Sequence, residues 1–163
     1  TSAADSGNTS MWNSTTPTSS LITLGNHTGV NGNTDTFICY AFAEKKGFSK
    51  FGSYTGNGDA DGTFIYTGFK PAFFLWKRSN STGGWYQMDS VRDTYNPVEK
   101  TLGANDSSAE SAFGTGNDTD FCSNGLKIRS TGGDINTSGG SYIFMAFAEE
   151  PLVASNGTPA TAR

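Results

Sequence analysis

The chain copies part of itself. Residues 36–44 read TFICYAFAE, and residues 141–149, 105 positions later, read SYIFMAFAE. The register runs back without a gap, pairing Ile38 with Ile143, Asn31 with Asn136, Val30 with Ile135 and Leu21 with Leu126. A gapless match over this span points to two copies of one structural unit. Residues 45–120 have no earlier counterpart in the sequence. One copy is therefore whole, and the other is represented by its last part. We expect residues 1–44 to be the C-terminal part of a preceding repeat packed with the next, residues 45–150 a complete repeat and residues 151–163 a C-terminal tail. We also expect the natural polypeptide to extend further upstream.

The repeat is longer than the blades of about 40–50 residues that build propellers. Within it, short apolar runs alternate with Gly, Asn, Asp and Ser, the residues that turn a chain between strands. The runs at 20–24, 36–43, 50–54, 63–67, 72–77, 84–89, 126–130 and 141–148 read as strands. Those at 36–43, 72–76 and 141–148 are apolar on both alternating faces, as central strands covered on each side require. We expect 36–43 and 141–148 to hold related central positions. Gly56-Asn57-Gly58-Asp59-Ala60-Asp61-Gly62 falls between two strands and reads as a hairpin or long turn. A single helical turn is expected at 107–113, where Ser107 and Glu110 have capping-box spacing. The predicted fold class is all-β, an antiparallel two-sheet jelly-roll sandwich.

With 163 residues, of which 34% are hydrophobic, the chain can build a core without staples. Eleven Lys and Arg against fifteen Asp and Glu give a net charge of −4, so the concentrated basic surface that nucleic acid binding draws on is missing. No apolar run approaches the ~18 residues of a spanning helix, and no membrane insertion is expected. Cys39 and Cys122 form no CxxC motif and His27 is the one histidine, which removes a structural zinc site. Cys39, inside an apolar run, reads as a buried thiol; a disulfide to Cys122 stays open.

Four groups of residues carry chemistry worth weighing. Asn57, Asp59 and Asp61 match the opening of a calcium loop with oxygen ligands at alternate positions, but position twelve is Gly68 rather than a bidentate Glu, and a strand follows instead of a helix. They form a weak calcium candidate beside the reading as a polar turn, and no cofactor is expected. Asp118 and Asp120 have the spacing for a glycosidase pair on one strand face; the run GTGNDTD reads better as a loop. His27 lies in a loop without a nucleophile context, so no catalytic triad is supported. Trp85, Tyr86, Arg92 and Tyr95 follow a Ser/Asn/Gly loop and form the candidate ligand site, a platform on which aromatic faces stack against sugar rings. Trp76, inside Phe73-Phe74-Leu75-Trp76, reads as core.

The block FAEKKGFSKFGSYTGNGDADGTFIYTGFKPAFFLWKR, followed by DSVRD, DFCSNGLKIR and SGGSYIFMAFAEEPLVASNGTPATAR, resembles the repeated C-terminal domains of tail-fibre-like virion proteins of marine tailed phages. The similarity covers nearly the whole chain. It implies a concanavalin A-like lectin and glucanase fold. It also implies a non-catalytic structural or receptor-binding module at the virion surface, assembled with other virion subunits as a homo-oligomer and contacting host surface glycans. A cellular secreted lectin would share fold and aromatic surface, and a glycanase would need the Asp118 and Asp120 pair.

Overall fold

A computed structural model describes residues 9–112 and 116–149 of the chain. They fall into two compact units, one beginning at Ala43 and the other ending at Phe42.

The first unit is all-β apart from one helical turn. Its strands are β1 (Ser49–Thr55), β2 (Phe64–Tyr66), β3 (Pro71–Arg78), β4 (Trp85–Asp89), β5 (Lys100–Gly103), β6 (Ser111–Ala112), β7 (Thr119–Cys122), β8 (Gly125–Ile128) and β9 (Ser141–Ala148). Every pairing is antiparallel, in a six-stranded sheet ordered β1-β9-β3-β4-β5-β6 and a three-stranded sheet ordered β2-β8-β7. Side chains alternate across a strand, so Tyr142, Phe144 and Ala146 of β9 point into one core together with Phe74 and Trp76 of β3 and Met88 of β4. Phe121 of β7 and Leu126 and Ile128 of β8 close the same core from the smaller sheet. Burying each large side chain stabilises the fold by roughly 1.5–3 kcal/mol.

The polar tips of three core aromatics converge on the helical turn Gly133–Asn136. Tyr142 Oη donates to Gly133 O (2.9 Å), Trp76 Nε1 to Asp134 O (3.0 Å) and Tyr54 Oη to Ile135 O (2.9 Å). Tyr54 and Tyr142 stack with ring centroids 4.8 Å apart. Burial, and then the neighbouring Tyr142, push the Tyr54 hydroxyl well above its ordinary pKa, so it stays a donor. A one-turn helix makes few bonds of its own, and these three donors hold it against the sheet.

Asn136 fastens the same turn to the rest of the unit. Fully buried, it donates through Nδ2 to Asn57 Oδ1 (2.9 Å), Asp59 O (2.8 Å) and Ser130 O (2.7 Å), and its Oδ1 accepts from Asn57 N (3.0 Å).

The second unit contains two single helical turns, Thr9–Trp12 and Thr28–Asn31, and no strand among its described residues. Its second turn repeats the geometry of Gly133–Asn136 at the 105-residue offset. Val30 N bonds His27 O at 3.1 Å and Ile135 N bonds Gly132 O at 3.3 Å; Asn31 N bonds His27 O at 2.9 Å and Asn136 N bonds Gly132 O at 2.7 Å. Asp35 N to Gly32 O (3.2 Å) matches Gly140 N to Thr137 O (2.8 Å). Asn31 Nδ2 to Gly25 O (3.0 Å) matches Asn136 Nδ2 to Ser130 O (2.7 Å). The left-handed φ of +71° at Gly139 recurs at Thr34, at +69°, although a β-branched residue bears a strain there of about 1 kcal/mol.

Several expectations need correction. Residues 36–43 form no strand and are exposed, with Ile38 and Tyr40 each at 79%, so they hold no central position corresponding to β9. Residues 20–24 are likewise irregular. Strand pattern is realised only where neighbouring strands pair with it, and no strand lies beside these residues in this unit among those described. The loop at 56–62 is no hairpin: β1 and β2 belong to different sheets, and the loop crosses between them under the hold of Asn136. Residues 107–110 are not helical and lead into β6; Phe113 lies outside the described residues. Cys39 is exposed rather than buried, and both cysteines are free.

Candidate functional site

The segment between β4 and β5 is a loop fastened along its length by side-chain hydrogen bonds. Asp89, the last residue of β4, accepts from Val91 N (3.0 Å) and Arg92 N (2.8 Å) and pairs its other oxygen with Arg92 Nε. Arg92 Nη1 reaches Glu110 Oε2 at 2.6 Å. Burial opposes the charge on Asp89, but these donors outweigh it and hold the carboxyl below its ordinary range. Asp93 Oδ2 takes Glu99 N (2.8 Å) and Lys100 N (3.2 Å). Asn96 lies flat against β7, donating to Phe121 O (3.1 Å) and accepting from Phe121 N (2.9 Å), and is followed by a cis bond to Pro97. Val98 exchanges two backbone bonds with Thr119.

This framework carries Tyr95 at its tip, 82% exposed. Beside it opens a cleft of about 340 Å³. Val98 and Phe121, both buried core residues, line it, as do Asp93, Asn96 and the ion pair Lys70 Nζ to Glu149 Oε2 (2.6 Å). An exposed ring beside a cleft lined mostly by polar groups offers a sugar or a comparable polyhydroxyl ligand both a stacking face and hydrogen-bonding partners.

Of the residues expected to form the platform, Arg92 and Tyr95 belong to this loop. Trp85 and Tyr86 begin β4, and Asp89 ends it; at about 3.3 Å per residue the two ends stand about 13 Å apart. They also face opposite ways. Tyr86 packs on Trp76 (5.7 Å) on the core side, whereas Trp85, beside Lys77 in register, faces the other side of the sheet. The four residues therefore do not form one contiguous surface, because consecutive strand residues alternate. Trp76 is fully buried, as read from its apolar run. Lys70, Asp93, Asn96 and Glu149 were not singled out from sequence. The Asn-Pro dipeptide did mark a turn, but the pairing of Lys70 with Glu149, 79 residues apart along the chain, left no local signal.

The remaining candidates are engaged in the fold. Asn57 Oδ1 accepts from Asp59 N, and Asp59 Oδ1 from Asp61 N, a chain of side chain to backbone turns. Asp61 pairs with Lys127 (2.8 Å), whose ammonium keeps that carboxyl below its ordinary range. No group of three or more His, Cys, Asp or Glu side chains is placed to hold a metal ion among the described residues. Asp120 is paired with Arg129 (2.6 Å). Asp118 is buried with an oxygen lacking a hydrogen bond, and burial followed by the charge of Glu99 raises its pKa. His27 accepts from Gly29 N through Nδ1 (2.9 Å) and caps its helical turn. No helix among the described residues is long and apolar enough to cross a membrane.

Fold and loop together define an all-β, two-sheet domain that presents an exposed aromatic residue on a pinned loop. The chain belongs to the family described as Domain of unknown function (DUF7483), whose model matches residues 1–151. Neither the curated proteins nor the solved structures contain a match.

Proposed function

We propose that this chain is a non-catalytic structural and receptor-binding module of a tail-fibre-like virion protein, exposed at the particle surface and contacting glycans of a host cell. The resemblance of its repeat and its C-terminal stretch to phage fibre proteins supports this reading. The two antiparallel sheets sharing one core are read as an abbreviated concanavalin A-like jelly-roll sandwich. The single observation that carries the adhesive part is Tyr95, projected from a loop pinned by Asp89, Asp93 and Asn96 beside a mostly polar cleft. A loop pinned in this way presents the ring without first having to order its backbone. One such contact is worth only about 1 kcal/mol, and a fibre presenting several copies turns weak contacts into firm attachment. Other virion subunits, most simply further copies of this chain, are the assembly partners.

Catalysis has little support, since Arg129 engages Asp120 and neither Asp118 nor Asp120 lines the cleft beside Tyr95. The test uses the full chain on a panel of bacterial surface polysaccharides. Tyr95→Ala is expected to cut retention severalfold while moving the melting temperature by no more than about a degree. Trp85→Ala, on the far face, should cut it less. Unaltered retention in the Tyr95 variant, or release of reducing sugar by the unmodified chain, overturns the proposal.

A further inference from the structure

The second unit holds a prepared but uncovered surface whose cover can be read from the first unit. At the 105-residue offset, Leu126 is fully buried and Leu21 is 67% exposed; Tyr142 is fully buried and Phe37 is 45% exposed. The stretch between these residues, 25–35 against 130–140, nevertheless keeps one backbone in both units, down to the four matched hydrogen bonds and the left-handed residue before the apolar segment. Asn31 makes the bond to Gly25 O that Asn136 makes to Ser130 O. In the complete copy, Asn136 also binds the 57–59 loop, and the carbonyls of its helical turn receive Trp76 and Tyr54. The equivalent carbonyls in the second unit are those of Gly29 and Val30.

We propose that residues 9–43 are the second half of another copy of this fold and form a docking surface for its first half, carried N-terminal to them on the same polypeptide. The partner has a definite chemistry. It offers strands corresponding to β1 and β3, which would flank residues 36–43 as β1 and β3 flank β9. It carries a Tyr and a Trp whose polar tips reach the carbonyls of Val30 and Gly29, and an Asn-Gly-Asp loop whose asparagine engages Asn31. The surface departs from its counterpart at one point: Phe37 stands where Tyr142 donates to Gly133 O, so the first of the three aromatic bonds is absent. A second copy of the chain is a poorer source of the partner, because its own β9 already lies between its β1 and β3, and exchange would expose as much as it covered.

Two measurements decide this. In the chain as it stands, amide hydrogen exchange over residues 37–43 should run near the rate of unstructured peptide, whatever oligomeric state light scattering finds. Slow exchange there in a monomer overturns the proposal. So does a dimer that protects the segment, because it assigns the surface to a second copy. In a chain extended by a further copy of residues 45–113 placed directly before residue 9, exchange over 37–43 should slow at least a hundredfold, and Asn31→Ala should reverse much of that protection. Unchanged exchange in an extended chain whose added tryptophans have become buried, read by their fluorescence, overturns it as well.

Discussion

Residues 25–35 and 130–140 adopt one backbone in two settings. The residues flanking the helical turns agree closely: φ −70° and ψ 133° at His27 against −60° and 139° at Gly132, then −64° and 139° at Gly32 against −52° and 134° at Thr137. Only Asn31 and Asn136 are identical within the two turns themselves. The turn and its asparagine hook are therefore encoded locally. The strand that follows is not: 141–148 is a central strand between β1 and β3, whereas 36–43, ending in the same Ala-Phe-Ala, has no regular structure. The difference teaches that the apolar run specifies a strand only through its neighbours, and that side-chain cover, not intrinsic preference, decides the outcome.

That contrast can be attacked by making the same change in both copies. The largest gap should come from truncating the first inward aromatic. Tyr142→Ala removes a fully buried ring and two hydrogen bonds and should cost about 3–5 kcal/mol of unfolding free energy. Phe37→Ala should stay within about 0.5 kcal/mol. Urea titrations of both variants check this, and equal costs would mean that the second unit is as well covered as the first.

The asparagines come next. Asn136→Ala removes three donated bonds and one accepted bond from a buried site, and about 2–3 kcal/mol should be lost as the partners go unpaired. Asn31→Ala removes one bond at an exposed position and should cost about 0.5 kcal/mol. A smaller and sharper pair exchanges the left-handed residues. A Cβ at Gly139 meets nothing within 4 Å, so Gly139→Thr should cost about 1 kcal/mol from backbone strain alone. Thr34→Gly should relieve the same strain and differ in sign, visible as increased helical-turn order by nuclear magnetic resonance.

Much of the first unit was legible in the sequence because its strands alternate or carry unbroken apolar runs: 50–54, 63–67, 72–77, 84–89, 126–130 and 141–148 all contain observed strands. β5 and β7 escaped. Lys100-Thr101-Leu102-Gly103 and Thr119-Asp120-Phe121-Cys122 are short and polar, and their pairing is set by β4 and β8 rather than by their own pattern. The error at 36–43 is the converse, a strong pattern with no neighbouring strand among the described residues. The candidate site was half legible. Tyr95 and Arg92 lie on the projecting loop, but grouping them with Trp85 and Tyr86 treated closeness in sequence as closeness in space, which strand alternation forbids. The cleft's ion pair joins distant residues and leaves no trace in either local stretch.

The last comparison concerns two carboxyls. Asp118 is set against Asp89, a carboxyl whose pKa is shifted the other way. In the complete copy Asp118 is buried with an oxygen lacking a hydrogen bond, and burial, then repulsion from Glu99, raises its pKa. A carboxyl whose folded pKa lies above its unfolded value binds protons more tightly in the native state. It therefore weighs against folding at pH values above the folded pKa and ceases to do so below the unfolded one. Asp118→Asn should raise the melting temperature at pH 7, and the gain should shrink to nothing as the pH falls through the carboxylate range near about 4. Asp89→Asn should do the opposite. Its folded pKa is lowered, its contribution to stability is present above the unfolded value, and the variant should melt earlier at pH 7 and approach the parent only as acid protonates Asp89 itself. Thermal melts of the two variants from pH 7 down to pH 3 check both signs, and a pH-independent gain from Asp118→Asn would show that shape rather than charge is what the larger copy tolerates poorly at that position.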